Sequence, residues 1–216
     1  MNAEHVLTRS EQAIAPIAAA MAIGDMPRLD AALAEGLDAG LTVSEAKEIL
    51  VQLYAYAGFP RSLNALGALM TLLAARLQRG VHDTPGRDPA PVPSGEALRA
   101  AGAANQSTLS GGAVRGPVFE FAPAIDEYLK THLFGAIFAR DNLDWRSREL
   151  ATIGALAALS GVESQLQSHV RIGMNVGLTP SQLRQLANAL GDRGHAEGAE
   201  RVRLALERHL AEAPVA

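Results

Sequence analysis

The chain has 216 residues, of which 48% are apolar and 19% charged, as is typical of a globular protein with a sizeable core. Nineteen basic and twenty-three acidic side chains give a net charge of −4, which does not favour nucleic-acid binding. The absence of cysteine excludes disulfides, thiolate metal sites and cysteine nucleophiles. No apolar run reaches the roughly eighteen residues of a membrane-spanning helix, and no basic segment precedes the alanine-rich N-terminus. We therefore expect no membrane partner, no signal peptide and a cytoplasmic location.

The first predicted helices lie between residues 8 and 79. Within residues 36–50 (GLDAGLTVSEAKEIL), Gly40 ends one helix in the left-handed conformation, and Thr42 caps the next with Glu45 completing a capping box. Apolar residues at helical spacing then predict two stripes, both expected to be buried, on either side of a break at residues 58–60. These stripes are Ile49, Leu50, Leu53 and Ala57, and then Leu63, Leu66, Met70, Leu73 and Leu77.

Residues 80–117 differ from the rest of the chain. They are rich in proline, glycine, serine and alanine and lack sustained periodicity, which predicts a linker that crosses the surface or a neighbouring subunit. Residues 119–145 are predicted to form one further helix. Its apolar anchors are Ile125, Tyr128, Leu129, Leu133 and Ile137.

The last part of the chain repeats the first. Residues 173–187 (GMNVGLTPSQLRQLA) match residues 36–50 at an offset of 137 residues. The sequence therefore predicts an all-α fold built as a tandem repeat of antiparallel helical units, with no strand. The predicted divisions are a first repeat over 8–79, the linker over 80–117 and a second repeat over 118–212. Gly36, Gly40, Leu41, Thr42 and Ser44 recur as Gly173, Gly177, Leu178, Thr179 and Ser181.

The repeated segments carry a resemblance to a known family. Residues 148–170 (RELATIGALAALSGVESQLQSHV) and 177–183 (GLTPSQL) resemble the carboxymuconolactone decarboxylase family, in the superfamily of the alkylhydroperoxidase D-like proteins. Residues 38–66 of the first copy are similar as well. The resemblance implies an all-α fold with a pseudo-dimer inside one chain. It also implies a homo-oligomer, for which a trimer of two-repeat chains is the natural closed assembly.

By this resemblance, Glu149 and His169 occupy the glutamate and histidine positions of the family. An unperturbed imidazole titrates near pH 6.5, so His169 could exchange a proton at neutral pH, with a carboxylate fixing its tautomer. In the peroxidase branch of the superfamily a Cys-x-x-Cys pair lies on the helix of the histidine. Val162 and Gln165 stand at those positions here, so thiol peroxidase activity is not expected.

The first copy lacks the acid–base pair. The offset places Gln12 opposite Glu149 and Ala32 opposite His169, so we expect one site per chain. From spacing alone an alternative interpretation stays open for both candidates. A half-buried histidine can serve packing, and a glutamate near a helix start can stabilise the helix dipole.

Arginines near the repeat motifs could bind the carboxylate of a substrate through bidentate pairs. Arginines also form interhelical ion pairs, and tyrosines in such helices also belong to cores and interfaces, so these roles remain alternatives. The candidate substrate-binding residues are Arg146, Arg148, Arg61, Tyr54 and Asn64, with Arg171 and Tyr56 as further possibilities.

The resemblance implies a cofactor-free lyase like 4-carboxymuconolactone decarboxylase, active in aromatic compound catabolism, with His169 as general acid or base. Its substrate would be a small anionic lactone or a related carboxylate. We expect no cofactor and no metal, because the chain contains no P-loop, no dinucleotide fingerprint and no HExxH motif. A double-bond isomerase would use the same residues. A non-catalytic oligomeric scaffold is the third hypothesis, which the degenerate first copy favours.

Overall fold

The computed structural model describes residues 6–212, and every regular element in this range is helical, which confirms the all-α prediction. None of these helices is long and apolar enough to cross a membrane. The elements are α1 (Arg9–Ile23), α2 (Met26–Asp38), α3 (Val43–Gln52), α4 (Tyr54–Ala57), α5 (Phe59–Gln78), α6 (Gly95–Ser110), α7 (Pro117–Phe121), α8 (Pro123–Tyr128), a π-helical segment (Leu129–Ile137), α9 (Trp145–Ala158), α10 (Glu163–Asn175), α11 (Pro180–Asp192) and α12 (Ala196–Glu212).

The tandem repeat is visible in the helix starts. Three helices of the first repeat, α2, α3 and α5, begin 137 residues before α10, α11 and α12 respectively, and α1 corresponds to α9. Each pair therefore has the same place in its unit, and the predicted tandem repeat is confirmed. The paired starts are Met26 and Glu163, Val43 and Pro180, and Phe59 and Ala196.

The joints between equivalent helices are specified locally, as the sequence predicts. The Thr42 hydroxyl accepts a hydrogen bond from the Glu45 amide at 3.2 Å, and the Glu45 carboxylate accepts one from the Thr42 amide at 2.8 Å. A second capping box starts α11 at Thr179. Gly40 and Gly177 precede these caps with φ of 101° and 96°, a left-handed conformation that glycine adopts without strain.

The two repeats meet along α1 and α9. A Cβ added to Gly154 of α9 would lie 2.6 Å from the Ala15 carbonyl oxygen of α1, so the two helix backbones touch. Because α1 is buried on every side, small residues fill it from Ala13 to Ala22. The alanine-rich start of the chain is therefore the centre of the core.

The predicted linker contains a helix. α6 packs against the π-helical segment, and a Cβ on Gly102 would overlap the Lys130 carbonyl oxygen at 1.7 Å. Apolar periodicity missed α6 because glycine and alanine, rather than large residues, permit this close crossing. We call α6 and the π-helical segment the cap. The boundaries proposed at residues 80 and 117 stay predictions.

The single helix predicted over residues 119–145 is wrong. The segment forms α7, α8 and the π-helical segment in succession, and turns follow before α9 begins at Trp145. Ala122 leaves the helical conformation with φ of −131°, and Pro123 then begins α8. A proline cannot donate to the preceding turn, so α7 does not continue through this point.

The apolar stripe predicted on α5 is also wrong in part. Leu63, Met70 and Leu77 are 64%, 70% and 59% exposed, because α5 buries a different face that includes Ala65 and Leu69. Phe59, one turn before Leu63, is exposed as well. We call Phe59, Leu63, Met70 and Leu77 the α5 stripe.

Candidate active site

The structure joins His169 and Glu149 directly. His169 Nδ1 lies 2.8 Å from Glu149 Oε2, where antiparallel α10 and α9 pack together. Glu149 is fully buried and His169 is 9% exposed. Because a carboxylate only accepts hydrogen bonds, Nδ1 carries the proton and donates it to Glu149. His169 Nε2 has no hydrogen-bond partner among residues 6–212 and is therefore the atom left for chemistry.

Gly173, one turn after His169, brings the two helices together. A Cβ at this position would lie 3.3 Å from Ile153 Cδ1 and 3.8 Å from Glu149 Cβ. Larger side chains here would push α10 away from α9. Leu166 and Val170 on the same side of α10 are buried in the core, which fixes the rotation of the helix. The local sequence therefore aims His169 at Glu149.

Tyr56 of α4 forms the third wall of the pair. Its ring lies edge-on to the imidazole of His169, with centroids 5.6 Å apart and an interplanar angle of 81°. Burial, and then the Glu149 carboxylate, raise the pKa of Tyr56, so the phenol stays protonated. Thr152 opposes this shift, yet its hydroxyl is already bonded to the Arg148 carbonyl oxygen at 3.0 Å and to Gln52 at 2.8 Å. The Tyr56 hydroxyl is left without a partner.

Arg148 is next to Glu149 in the chain but lies in the interior. It is fully buried, and its guanidinium donates to Glu48 Oε1 and to Gln52 Oε1, both at 2.9 Å. Burial lowers the pKa of Arg148. Burial raises the pKa of Glu48, but hydrogen bonds and charge from Arg140 and Arg148 outweigh this and leave it lowered. We therefore drop Arg148 as a substrate-binding residue, because it ties α9 to α3 of the other repeat.

The other predicted substrate-binding residues also lie elsewhere. Arg146 donates to the Gly177 carbonyl oxygen, and Arg61 lies against Gly24 at the end of α1. Within the described range, none of the predicted substrate-binding residues forms a hydrogen bond, ion pair or ring contact with His169 or Glu149. Two of them face other surroundings: Asn64 is exposed, and Tyr54 stacks on Phe59 at 4.3 Å and contacts His132 at 5.4 Å.

The sequence model of the carboxymuconolactone decarboxylase family matches residues 1–70 and 123–208, which is more than half of the chain. The chain belongs to the carboxymuconolactone decarboxylase family. The two matched segments contain α1 to the middle of α5 and α8 to most of α12, so the family frame occurs twice. No curated protein matches the chain.

In this family member, the cap covers only the second repeat. A cluster of apolar side chains joins the cap to α10 and α4, and Asn175 of α10 donates to the Leu109 carbonyl oxygen of α6 at 2.9 Å. Five surface cavities have volumes of 240 to 440 Å³, and none of these five is lined by His169 or Glu149. The cluster consists of Leu109, Leu133, Phe134, Ile137, Phe138 and Ile172, with Tyr54, Tyr56, Leu129, Trp145 and Val176 beside it.

Two cavities lie instead at the equivalent place in the first repeat. One of 440 Å³ is lined by Gln12 and Arg193, and one of 240 Å³ by Ala32 and Arg193. The copy of the family frame without the acid–base pair is thus open, and the copy with the pair is covered. Sequence reasoning did not separate Tyr56 from Tyr54. Their spacing of two residues on a four-residue helix gives no local signal of which one meets α10.

Proposed function

We propose that the protein is a cofactor-free carboxy-lyase that acts on a small anionic lactone or a related conjugated carboxylate, like 4-carboxymuconolactone decarboxylase. The observation that carries the proposal is the buried hydrogen bond from His169 Nδ1 to Glu149, which leaves Nε2 without a partner. Membership of the carboxymuconolactone decarboxylase family supports the reaction class.

The proposed reaction needs only one proton donor from the protein. The bond between the substrate carbon and its carboxylate breaks, carbon dioxide leaves, and the electron pair moves into the conjugated lactone carbonyl. The protonated His169 Nε2 then gives its proton to carbon, and solvent reprotonates the imidazole. The Glu149 carboxylate stabilises the imidazolium and holds the ring in place, as the acidic member of a catalytic triad does.

The arginine clamp predicted from the sequence is not part of this proposal. Arg148 is fully engaged inside the protein, and Arg146 and Arg61 lie against other backbone segments. The low exposure of His169 favours one alternative. In a non-catalytic oligomeric protein, the His169–Glu149 pair would serve only to brace α10 against α9.

The test is turnover of 4-carboxymuconolactone by the wild type beside His169→Ala, with folding of both checked by circular dichroism. Removal of a general acid is expected to lower the rate about 100-fold or more. His82→Ala is the control, since His82 is exposed and lies in the segment between α5 and α6. Turnover that survives in His169→Ala would contradict the assigned role.

The product separates the alternatives. A product that has lost the carboxylate identifies the decarboxylase, and a product that keeps it with a shifted double bond identifies an isomerase. If the folded wild type converts none of the substrate, the decarboxylase proposal is rejected and the bracing role is favoured.

The same proposal includes a homo-oligomer, with a trimer favoured by the resemblance to the family. The α5 stripe supports it, because four large apolar side chains on one helix face would be covered by a second copy of the chain. The stripe lies on the first repeat, so assembly would leave the acid–base pair of the second repeat in place.

A further inference from the structure

Two polar atoms beside His169 are buried and have no partner among the described residues. They are the hydroxyl oxygen of Tyr56 and the second carboxylate oxygen of Glu149, Oε1. Buried polar atoms are nearly always hydrogen-bonded, because an unpaired one lowers the stability of the fold. Two such atoms around one imidazole indicate that the site is arranged for something that is bound there only part of the time.

The chemistry of the two atoms is complementary. Glu149 Oε1 only accepts hydrogen bonds, and the Tyr56 phenol, which stays protonated, can donate one. An oxygen atom of a ligand that develops negative charge would accept from the phenol, while the adjacent imidazole handles the proton. Donors that wait for such charge are the main way in which enzymes stabilise enolate-like transition states.

We propose that Tyr56 is a third functional residue of the site, a phenol that donates a hydrogen bond to the substrate oxygen that becomes negative. This inference rests on the proposed lyase function, in which the lactone carbonyl oxygen receives the electron pair. Tyr56 belongs to the first repeat and Glu149 and His169 to the second. The site is therefore composite, and the repeat without an acid–base pair supplies the oxyanion donor.

The position equivalent to Tyr56 supports this division. At the offset of 137 residues, Tyr56 corresponds to Arg193, which forms an ion pair with Glu35 at 2.8 Å in the first repeat. The first repeat thus has no phenol, imidazole or carboxylate at the three equivalent positions, where Arg193, Ala32 and Gln12 stand. The three functional groups occur together only once in the chain.

The test is Tyr56→Phe, which removes the hydroxyl and keeps the ring. We expect kcat on 4-carboxymuconolactone to fall about 100-fold with KM nearly unchanged, as for the loss of one oxyanion donor. The temperature of unfolding should not fall, because the variant removes a buried hydroxyl that has no partner. Tyr128→Phe, which alters an exposed tyrosine, is the matched control and should change neither quantity.

Two results would overturn the inference. A kcat of Tyr56→Phe within twofold of the wild type would exclude a role in the transition state. A fall in kcat together with a lower unfolding temperature would mark Tyr56 as a packing residue. Activity that falls while stability is unchanged or rises is not expected of a merely structural side chain.

A second measurement keeps the inference testable if the wild type does not turn over this substrate. The probe is 2-furoate, a planar ring carboxylate, titrated while the imidazole NMR signals of His169 are followed. Binding by the wild type that weakens at least fivefold in Tyr56→Phe, but not in Tyr128→Phe, supports the phenol donor. Equal binding in both variants, or no response of the wild type, contradicts it. Absent turnover with a retained furoate response would reject only the decarboxylase.

Discussion

The two repeats share one helical frame and have changed in opposite directions. The second repeat keeps Glu149 and His169 on neighbouring helices beneath the cap, where the first has Gln12 and Ala32 beside open cavities. The helix starts nevertheless coincide at one offset throughout. The frame is set by caps and small-residue contacts, so it tolerates the loss of the chemistry, and one copy can specialise while the other supports it.

The groove beside the site shows the same divergence. In the second repeat, Ile172 and Val176 lie in the apolar cluster beneath the cap. Their equivalents in the first repeat are Glu35, which pairs with Arg193, and Ala39. Apolar residues at two positions allow the cap to bind one repeat, and a charge at one of them keeps the other groove open to solvent.

The outer helices differ in the reverse sense. α5 carries the exposed α5 stripe, and α12 has mostly polar residues at the equivalent positions. The first repeat therefore offers the apolar surface and the second the acid–base pair. Phe59, Leu63 and Met70 correspond to Ala196, Glu200 and Glu207.

The largest effect is expected where the two repeats are tied together. Arg148→Met leaves the buried Glu48 with only Arg140 and removes a brace between α9 and α3, which should lower the free energy of unfolding by about 3 kcal/mol. The equivalent residue in the first repeat is Glu11, whose pair with Arg146 at 3.5 Å is partly exposed. Glu11→Gln should cost less than about 1 kcal/mol. Urea unfolding of both variants measures the difference, and equal losses would show that the interior pair has no special weight.

A smaller effect on the fold, but a visible one on assembly, is expected at the α5 stripe. Leu63→Glu gives α5 the residue that α12 has at Glu200, and it should reduce the mass of the assembly in light scattering. The fold itself should change by no more than about 0.5 kcal/mol, because the side chain is exposed. Leu204→Glu, an exposed leucine on α12, is the control. Assembly that resists Leu63→Glu would separate the stripe from oligomer formation.

The smallest effect concerns the joint before each outer helix, where His195 stands opposite Gly58 of the first repeat. Burial lowers the pKa of His195, helped by Arg28 and opposed by Asp25. The unfolded chain therefore binds more protons, so the contribution of His195 to stability is present above about pH 6.5 and is lost as the pH falls through the lowered folded value. His195→Gln should flatten the pH dependence of unfolding between about pH 7 and 5. His82→Gln should leave the wild-type slope, and an unchanged slope in His195→Gln would contradict the assignment.

Much of this protein could be predicted from short-range patterns. Glycine, threonine and glutamate or glutamine at fixed spacing specified the joints at Thr42 and Thr179, because a cap is made by residues three positions apart. The offset between the copies located the repeat, and the family motif pointed to Glu149 and His169. These signals lie within single segments of the chain, where spacing and geometry are linked directly.

Only the tertiary structure decided which distant segments meet. Tyr56 rather than Tyr54 reaches His169, Arg148 turns inward to Glu48 instead of outward to a substrate, and a glycine-rich stretch becomes part of a cap. Neither periodicity nor composition carries this information, since each contact depends on how helices far apart in the chain are rotated and how closely they pack. The sequence by itself determined the repeated frame and its acid–base pair. Packing between the repeats determined what surrounds that pair.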